Sequence, residues 1–279
     1  MKYFKICCII KNMENLFDLA HKIDKSPMRY AFHSHYFYEI YLLASGNVTY
    51  YIENEICTVS KGDVIVIPPG KVHRTIIKEG SLYDRYVLWL YPECISGNQG
   101  IQLLTDEVSS LLEEKNTSLI SFDRNGVYLI NKMFEILGKE DSANEMHSRS
   151  VCESCIVMIL NWVRDALAST QAKQSETEDL ISRVISRINH DIAGAPSLDE
   201  LSGEFHVSKY YLSHRFKEYT GTSVHQYILM KRINMAKDLL DKGCRTSDVF
   251  ERCGFSTYSN FYKTFVKLTG KPPKEFRIH

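Results

Sequence analysis

LDELSGEFHVSKYYLSHRFKEYTG (residues 198–221) and SDVFERCGFSTYSNFYKTFVKLTG (residues 247–270) share one helix-turn-helix pattern. Phe216 of the first stretch corresponds to Phe265 of the second at an offset of 49 residues. Two such units on one chain can place two helices in neighbouring major grooves of DNA. The repeat therefore predicts a protein that reads a DNA sequence.

Capping signals predict where the helices of this region begin. Ser197 is followed three residues later by Glu200, and Ser223 by Gln226, so that each pair forms a capping box. Ser208 is placed to cap the second helix of the first unit. The helix that begins after Ser223 is long enough to join the two units rigidly. Its predicted buried stripe is Val224, Tyr227, Ile228, Ile233, Ala236, Leu239 and Leu240.

Apolar residues at helical spacing predict the inner face of the second helix in each unit. The first unit is expected to bury Tyr211, Leu212 and Phe216, and the second to bury Phe261 and Phe265. The outer faces then present short polar groups, aromatic rings and cations. These are Lys209, Tyr210, Ser213, His214 and Lys217 in the first unit, and Thr257, Tyr258, Ser259, Asn260, Tyr262 and Lys263 in the second.

The charge is distributed unevenly along a chain whose formal net charge is zero. Residues 197–279 carry 14 Lys and Arg against 9 Asp and Glu, a net charge of about +5, and the rest carries about −5. A basic module favours phosphate contacts and predicts an affinity for DNA that falls as salt rises. The alternative, an ordinary helical interaction bundle, explains neither the repeat nor the basic shift.

The helical region resembles the AraC/XylS family of bacterial transcription regulators. The resemblance runs from Leu198 to Arg277. It rests on Tyr211-Leu212-Ser213, Arg215-Phe216-Lys217, Thr220-Gly221-Thr222, Arg232, Ala236, Gly254-Phe255-Ser256, Phe261, Phe265 and the ending GKPPKEFR. It implies seven helices that hold two recognition helices about one DNA turn apart. The DNA-contacting positions that it implies are Lys209, Tyr210, Ser213, His214, Lys217, Thr257, Tyr258, Asn260 and Lys263.

Two residues depart from the family pattern, and both lie in the second unit. Phe250 occupies a position where the family usually has Ala, so its ring is expected to turn outward or to widen the angle between the helices. Lys263 stands where Arg is common, which replaces a bidentate contact with guanine by a point charge. The second unit is therefore expected to be the weaker reader.

The front of the chain has a different pattern, with short runs of alternating residues and turn signals over residues 30–92. This pattern predicts a small antiparallel barrel or jelly roll. His33, His35, Glu39 and Gly46, followed by Gly62, Pro68, Gly70 and His73, resemble the two motifs of the cupin superfamily. Ile77 replaces the Asn that usually ends the second motif.

The four polar residues of these motifs, His33, His35, Glu39 and His73, have two interpretations. Alternation along one strand would turn His33, His35 and Glu39 to the same face, with His73 opposite on a second strand. Three imidazoles and a carboxylate suit a divalent metal. In AraC-type regulators the cupin-like barrel usually binds an effector such as a sugar instead, and Tyr41 and Trp89 are further candidate effector contacts. No cofactor is required in that case.

The sequence therefore predicts an α+β multidomain protein. Its parts are a cupin-like effector-binding barrel (1–115), a helical dimerisation region (116–168), a linker (169–179) and an all-α double helix-turn-helix domain (180–279). The helix expected over residues 150–167 carries an apolar stripe that would pack on its own barrel, on a second subunit or on both. No bilayer-spanning run, signal peptide or disulfide framework is apparent, so a cytoplasmic, membrane-free protein is expected.

The predicted function is a sequence-specific transcription regulator controlled by a small-molecule effector, and not an enzyme. Its expected partners are promoter DNA, the effector, a second copy in a homodimer, and RNA polymerase. Two alternatives remain open at this point: a metal-dependent cupin enzyme with a DNA-binding tail, and a constitutive DNA-binding scaffold whose barrel only dimerises.

Overall fold

The computed structural model describes residues 6–11, 17–24, 32–53, 55–77, 82–138, 145–170 and 180–276. Contacts divide the chain into two compact units. The first contains the described parts of 1–30, 37–69 and 75–174. The second contains those of 31–36, 70–74 and 175–279, so two short front segments belong with the helical region.

The strands of the described chain form two antiparallel sheets that share an apolar interior. The larger sheet has the order β1-β2-β8-β3-β6-β9 and the smaller one β5-β4-β7. The strands are β1 (Ile6–Lys11), β2 (Phe17–Asp24), β3 (Tyr38–Ser45), β4 (Val48–Ile52), β5 (Glu55–Val59), β6 (Val64–Ile67), β7 (His73–Ile77), β8 (Tyr83–Leu90) and β9 (Leu119–Ile120).

Alternation along the strands of the large sheet gives it two apolar faces. On β3, Tyr41 and Leu43 point into the interior shared with the small sheet. Ile40 and Leu42, one residue out of step, point to the opposite face and pack against helices. The predicted antiparallel barrel or jelly roll is thus confirmed, and both faces of its large sheet are buried.

Helices cover the outer face of the large sheet. Their bounds are α1 (Pro92–Ser96), α2 (Gln99–Lys115), α3 (Arg124–Leu137) and α4 (Glu145–Ser169). All four contribute to one cluster with that sheet, so the predicted boundary at residue 115 does not separate two bodies. In α4, Ile159 and Val163 are fully buried in the same unit while Met158 is 42% exposed, so most of the stripe packs on its own sheet. The predicted linker lies almost entirely outside the described residues.

The second unit is built from helices α5 to α10 and a C-terminal 3₁₀ turn. Their bounds are α5 (Leu180–His190), α6 (Leu198–Glu204), α7 (Lys209–Thr220), α8 (Val224–Asp241), α9 (Thr246–Arg252), α10 (Tyr258–Thr269) and the turn Pro273–Phe276. Every residue of the predicted α8 stripe is buried. No described helix combines the length and the apolarity that crossing a bilayer requires.

Arg232 on α8 connects the segment before the first helix-turn-helix unit to the turn of the second one. Its guanidinium donates hydrogen bonds to the carbonyls of Ile192 (3.1 Å) and Ala193 (2.8 Å), and it lies 5.9 Å from the ring centre of Phe255. The backbone of Ala193 closely approaches Gly254, which has a φ of +78°. A side chain at Gly254 would overlap the Ala193 carbonyl, so this approach requires glycine.

Three glycine-to-alanine variants separate close packing from backbone strain. Gly254→Ala adds both a clash and an unfavourable φ, and we expect it to lower the free energy of unfolding by about 3 kcal/mol or more. Gly243 has a φ of +79° but no neighbour within 4 Å, so Gly243→Ala should cost about 1 kcal/mol. Gly203 lies in α6 with open space around it, and Gly203→Ala should be neutral or stabilising by up to about 1 kcal/mol. Denaturant unfolding of the full chain measures all three, and equal effects of Gly254→Ala and Gly243→Ala would contradict the packing argument.

Candidate nucleic-acid interface and ligand site

The first helix-turn-helix unit comprises α6 and α7. The capping box is present, because Ser197 Oγ accepts from the Glu200 amide and Glu200 accepts from the Ser197 amide. Ser208 caps α7 by accepting from the amide of Tyr211 at 3.2 Å. The predicted helix starts are therefore confirmed.

The predicted inner face of α7 is correct for two of its three residues. Leu212 and Phe216 are fully buried, but Tyr211 is 49% exposed. Residues 212 and 216 are four apart and share one face, whereas residue 211 is rotated about 100° from residue 212. Tyr211 consequently lies at the edge of the buried face, and the prediction that it points inward is wrong.

The outer face of α7 presents the polar residues that the sequence predicts. Lys209, Tyr210, His214 and Lys217 are exposed and Ser213 is half-buried. The ring of Tyr210 stacks on that of His214, with 6.2 Å between the ring centres. Lys209 forms an exposed ion pair with Asp199 at 2.6 Å. Such a pair is weak in water, so the ammonium can exchange its carboxylate partner for a phosphate.

The second helix-turn-helix unit, α9 and α10, presents a similar face with more aromatic character. Thr257 caps α10 by accepting from the amide of Asn260. Phe261 and Phe265 are fully buried, and the six residues predicted to be exposed are exposed. Tyr258 and Lys263 therefore lie on the open face of α10. Assignment of these positions to DNA contacts remains a prediction.

The ring of Phe250 lies where a side chain larger than the usual Ala can be accommodated. Its ring is half-buried at the edge of the core and contacts Tyr258 edge to face, with 5.9 Å between the centres. Phe250 thus packs against Tyr258, the first residue of α10. Its position outside the fully buried core agrees with the expectation that the ring turns outward.

In the second of the two compact units, the structure brings three of the predicted effector residues together. The ring centre of His73 lies 4.3 Å from that of His33 and 4.9 Å from that of His35. His33 and His73 also form an isolated antiparallel bridge, with mutual backbone hydrogen bonds of 3.0 and 2.9 Å. His33 is exposed, His35 is half-buried and His73 is buried. We call these residues the histidine group.

The route by which the histidines meet differs from the prediction. His33 and His35 precede β3, which begins at Tyr38, so they do not share a regular strand with Glu39. His73 lies on a second strand as predicted, because it is the first residue of β7, and it is the direct neighbour of His33 across an isolated antiparallel bridge. The imidazoles of His35 and His73 have ligand atoms within 4.8 Å of each other and are chemically able to share a divalent metal. They are equally suited to hydrogen-bond a polar ligand.

In the first compact unit, a second polar group begins with Glu39 and Lys22 beside Trp89 and extends through Lys22 to Arg85 and Asp24. The indole Nε1 of Trp89 donates to Glu39 Oε2 at 2.9 Å, and Lys22 Nζ lies 5.0 Å from the indole ring. Arg85, 4% exposed, donates to Asp24 at 2.6 Å. Burial lowers the pKa of Lys22, and the positive charge of Arg85 lowers it further. These five residues are called the tryptophan group.

Tyr41 does not belong to this polar group. It is fully buried in the interior between the sheets, where its ring packs 4.9 Å from Tyr50 and 6.4 Å from Tyr83. Burial raises the pKa of the Tyr41 hydroxyl well above its usual value. The structure therefore places Tyr41 in the core, and its role as an effector contact stays a prediction.

Sequence reasoning missed Lys22, Asp24 and Arg85. A signal for them exists in the strand alternation, because Arg85 and Trp89 are four residues apart on β8 and share a face. Lys22 is the direct partner of Arg85 in the β2–β8 pairing. That pairing joins residues far apart in the sequence, so the proximity of Lys22 and Arg85 cannot be predicted without the sheet register.

Both halves of the chain match known families. The model described as AraC-like ligand binding domain matches residues 23–112, and the one described as helix-turn-helix domain matches residues 201–278. Fold and site thus define a DNA-binding transcription regulator with an N-terminal ligand-binding domain. The chain belongs to the AraC family.

Individual proteins are similar to this chain over all or part of its length. The HTH-type transcriptional activator RhaR of Escherichia coli O139:H28 is 23% identical over 252 residues, which cover 89% of this chain and 87% of that protein. The crystal structure of ToxT from Vibrio cholerae O395 is 13% identical, with a TM-score of 0.38, and covers 94% of this chain and 96% of that one. The DNA-binding domain of AdpA, solved with a target DNA, is 22% identical with a TM-score of 0.34, over 36% of this chain and 90% of that one.

Lys217→Ala tests the α7 face as a phosphate-binding surface. Because each lysine–phosphate contact releases about one counterion, we expect weaker binding to all sequences and a salt slope reduced by about 1. Fluorescence anisotropy with a duplex at several salt concentrations measures the slope. Lys132→Ala, which removes a cation from α3 in the first unit, is the control and should leave the slope unchanged. An unaltered slope in Lys217→Ala would remove this residue from the interface.

Proposed function

We propose that the ligand-binding domain holds a small polar metabolite, sugar-like or similar, and that this effector controls promoter binding by α7 and α10, which we call the first and second reading helices. The observation that carries the proposal is the tryptophan group. A carboxylate, Glu39, is held beside an indole, with two cations in the same cluster. A carboxylate accepts hydrogen bonds from hydroxyl groups, and an indole face packs on the apolar side of a sugar ring.

The histidine group is the second candidate ligand-binding element in the sequence matched by the ligand-binding domain. Its imidazoles can donate to or accept from the same kind of metabolite. Binding of a divalent metal by the histidine group is the alternative. We infer no catalytic role for either group, because the relatives are named as transcriptional activators.

An effector changes DNA binding only if it has different affinities for the DNA-competent form and the other form. A protein of this kind acts on chromosomal DNA, and we therefore place it in the bacterial cytoplasm. We further infer that it acts as a homodimer, with four reading helices on two half-sites, and contacts RNA polymerase. Exposed apolar side chains on α3 and α4, among them Tyr128, Leu129 and Met158, favour this part of the surface for dimerisation.

A thermal-shift screen of sugars and organic acids with the full chain tests effector binding. A ligand at 100 times its Kd stabilises the native state by about 2.7 kcal/mol, which raises Tm by roughly 5 to 10 °C in a protein of this size. We expect Glu39→Gln to abolish the shift because it removes the charged acceptor. Lys217→Ala, on the α7 face, should keep it.

Three outcomes of the screen, with Zn²⁺ added to the library, would count against this function. A library without any stabilising compound would remove the effector. A shift that persists unchanged in both Glu39→Gln and His73→Gln would place the ligand elsewhere. A shift produced by Zn²⁺ alone, and lost in His35→Gln, would favour the metal alternative.

A further inference from the structure

Arg74, the residue after His73, contacts the end of the first reading helix within the second unit. Its Nη2 donates to the carbonyl of Tyr219 at 2.6 Å and to that of Glu218 at 3.3 Å. The last carbonyls of a helix have no partner within it, and a cation near them is favoured by the helix dipole. Arg74 therefore acts as a C-terminal cap of α7, supplied from a distant part of the sequence.

A second set of contacts joins the front segments to α8. Asn234 donates from its amide to Ser34 Oγ at 2.7 Å and to the Gly70 carbonyl at 3.3 Å. Lys231 Nζ lies 3.5 Å from the same carbonyl. Both α8 side chains are buried, and buried amide and ammonium groups require hydrogen-bond partners. Residues 32–36 and 70–74 provide partners for both.

The histidine group lies on these same two segments. His33 and His73 are bound to each other through their backbones, and Nδ1 of His73 forms a hydrogen bond of 2.9 Å with the Lys71 carbonyl. The amide of Gly70 donates to the carbonyl of His35 at 2.8 Å. A displacement of His73 must therefore move the backbone that carries Arg74.

We propose that Arg74 couples the histidine group to the first reading helix, so that a ligand bound by the imidazoles changes how α7 is held. This regulation rests on the proposed effector function and extends it. The imidazoles take the ligand, their backbone bridge transmits the displacement, and the guanidinium releases or tightens its hold on the α7 carbonyls. By linkage, DNA bound to α7 must then affect the ligand affinity of the histidine group equally.

A double-mutant cycle on the full chain tests the coupling without an identified effector. The variants are His33→Ala, Arg74→Ala and both together, and the readout is Kd for one duplex enriched by the wild-type chain. Coupled sites give non-additive effects. We expect each single variant to change Kd about fivefold in the same direction, and the double variant to change it no more than the larger single effect.

Two further variants separate coupling from general damage. Arg74→Lys keeps a cationic donor at the helix end and should recover most of the wild-type affinity. Lys61→Ala removes an exposed cation from the turn before β6 and should have no effect. Hydrogen exchange of the Gly221 amide, which donates to the Lys217 carbonyl at 2.7 Å, should accelerate in Arg74→Ala and not in Lys61→Ala.

The outcomes distinguish this proposal from the effector function itself. Additive effects in the cycle, or an Arg74→Ala variant with unchanged Kd and exchange, would overturn the coupling even if the thermal-shift screen finds an effector. If that screen finds no ligand but the cycle is non-additive, the effector function is overturned, and the coupling of the histidine group to α7 through Arg74 is retained. If Tm is lowered in Arg74→Ala and is equally low in Arg74→Lys, Arg74 only stabilises the fold, and the coupling is contradicted.

Discussion

The arrangement of the two reading helices depends on the contact between Arg232 of α8 and the backbone of Ile192 and Ala193. This guanidinium holds the segment before α6 against the turn of the second helix-turn-helix unit. At that turn only a glycine, Gly254, leaves room for the Ala193 carbonyl. Because α8 is buried along its apolar stripe, it cannot bend without exposing that stripe to water. The separation of the two helices is therefore a property of the folded core.

The sequence predicts the local features of the second compact unit, α5 to α10, well because these features depend on neighbouring residues. Ser197 and Glu200 form their capping box, and Leu212 and Phe216 are buried as their spacing requires. Tyr211 shows the limit of such reasoning, since one residue at the edge of a helical face can turn either way. The contacts of Arg74 and Asn234 lie beyond it altogether, because they join residues 145 and 200 positions apart.

The first unit shows the same division between local and long-range information. Alternation correctly predicts strands around Tyr41 and Ile65, and the interior between two sheets. The tryptophan group could not be assembled in advance, because Lys22 and Arg85 meet only through the β2–β8 register. The histidine motif indicates that His33, His35 and His73 come together, but not that a backbone bridge before β3 joins them. Candidate residues are thus easier to predict than the geometry that relates them.

Selection of binding sites from a random duplex library by the full chain tests the central claim most directly, namely that two rigidly linked helices read one stretch of DNA. The account expects each half-site to contain two enriched blocks of sequence, with centres about one helical turn, or about 10 base pairs, apart. The α10 block should be the less strongly enriched, because Lys263 offers a point charge where a bidentate contact is absent. A single block per half-site, or no enrichment over the starting library, would contradict the account.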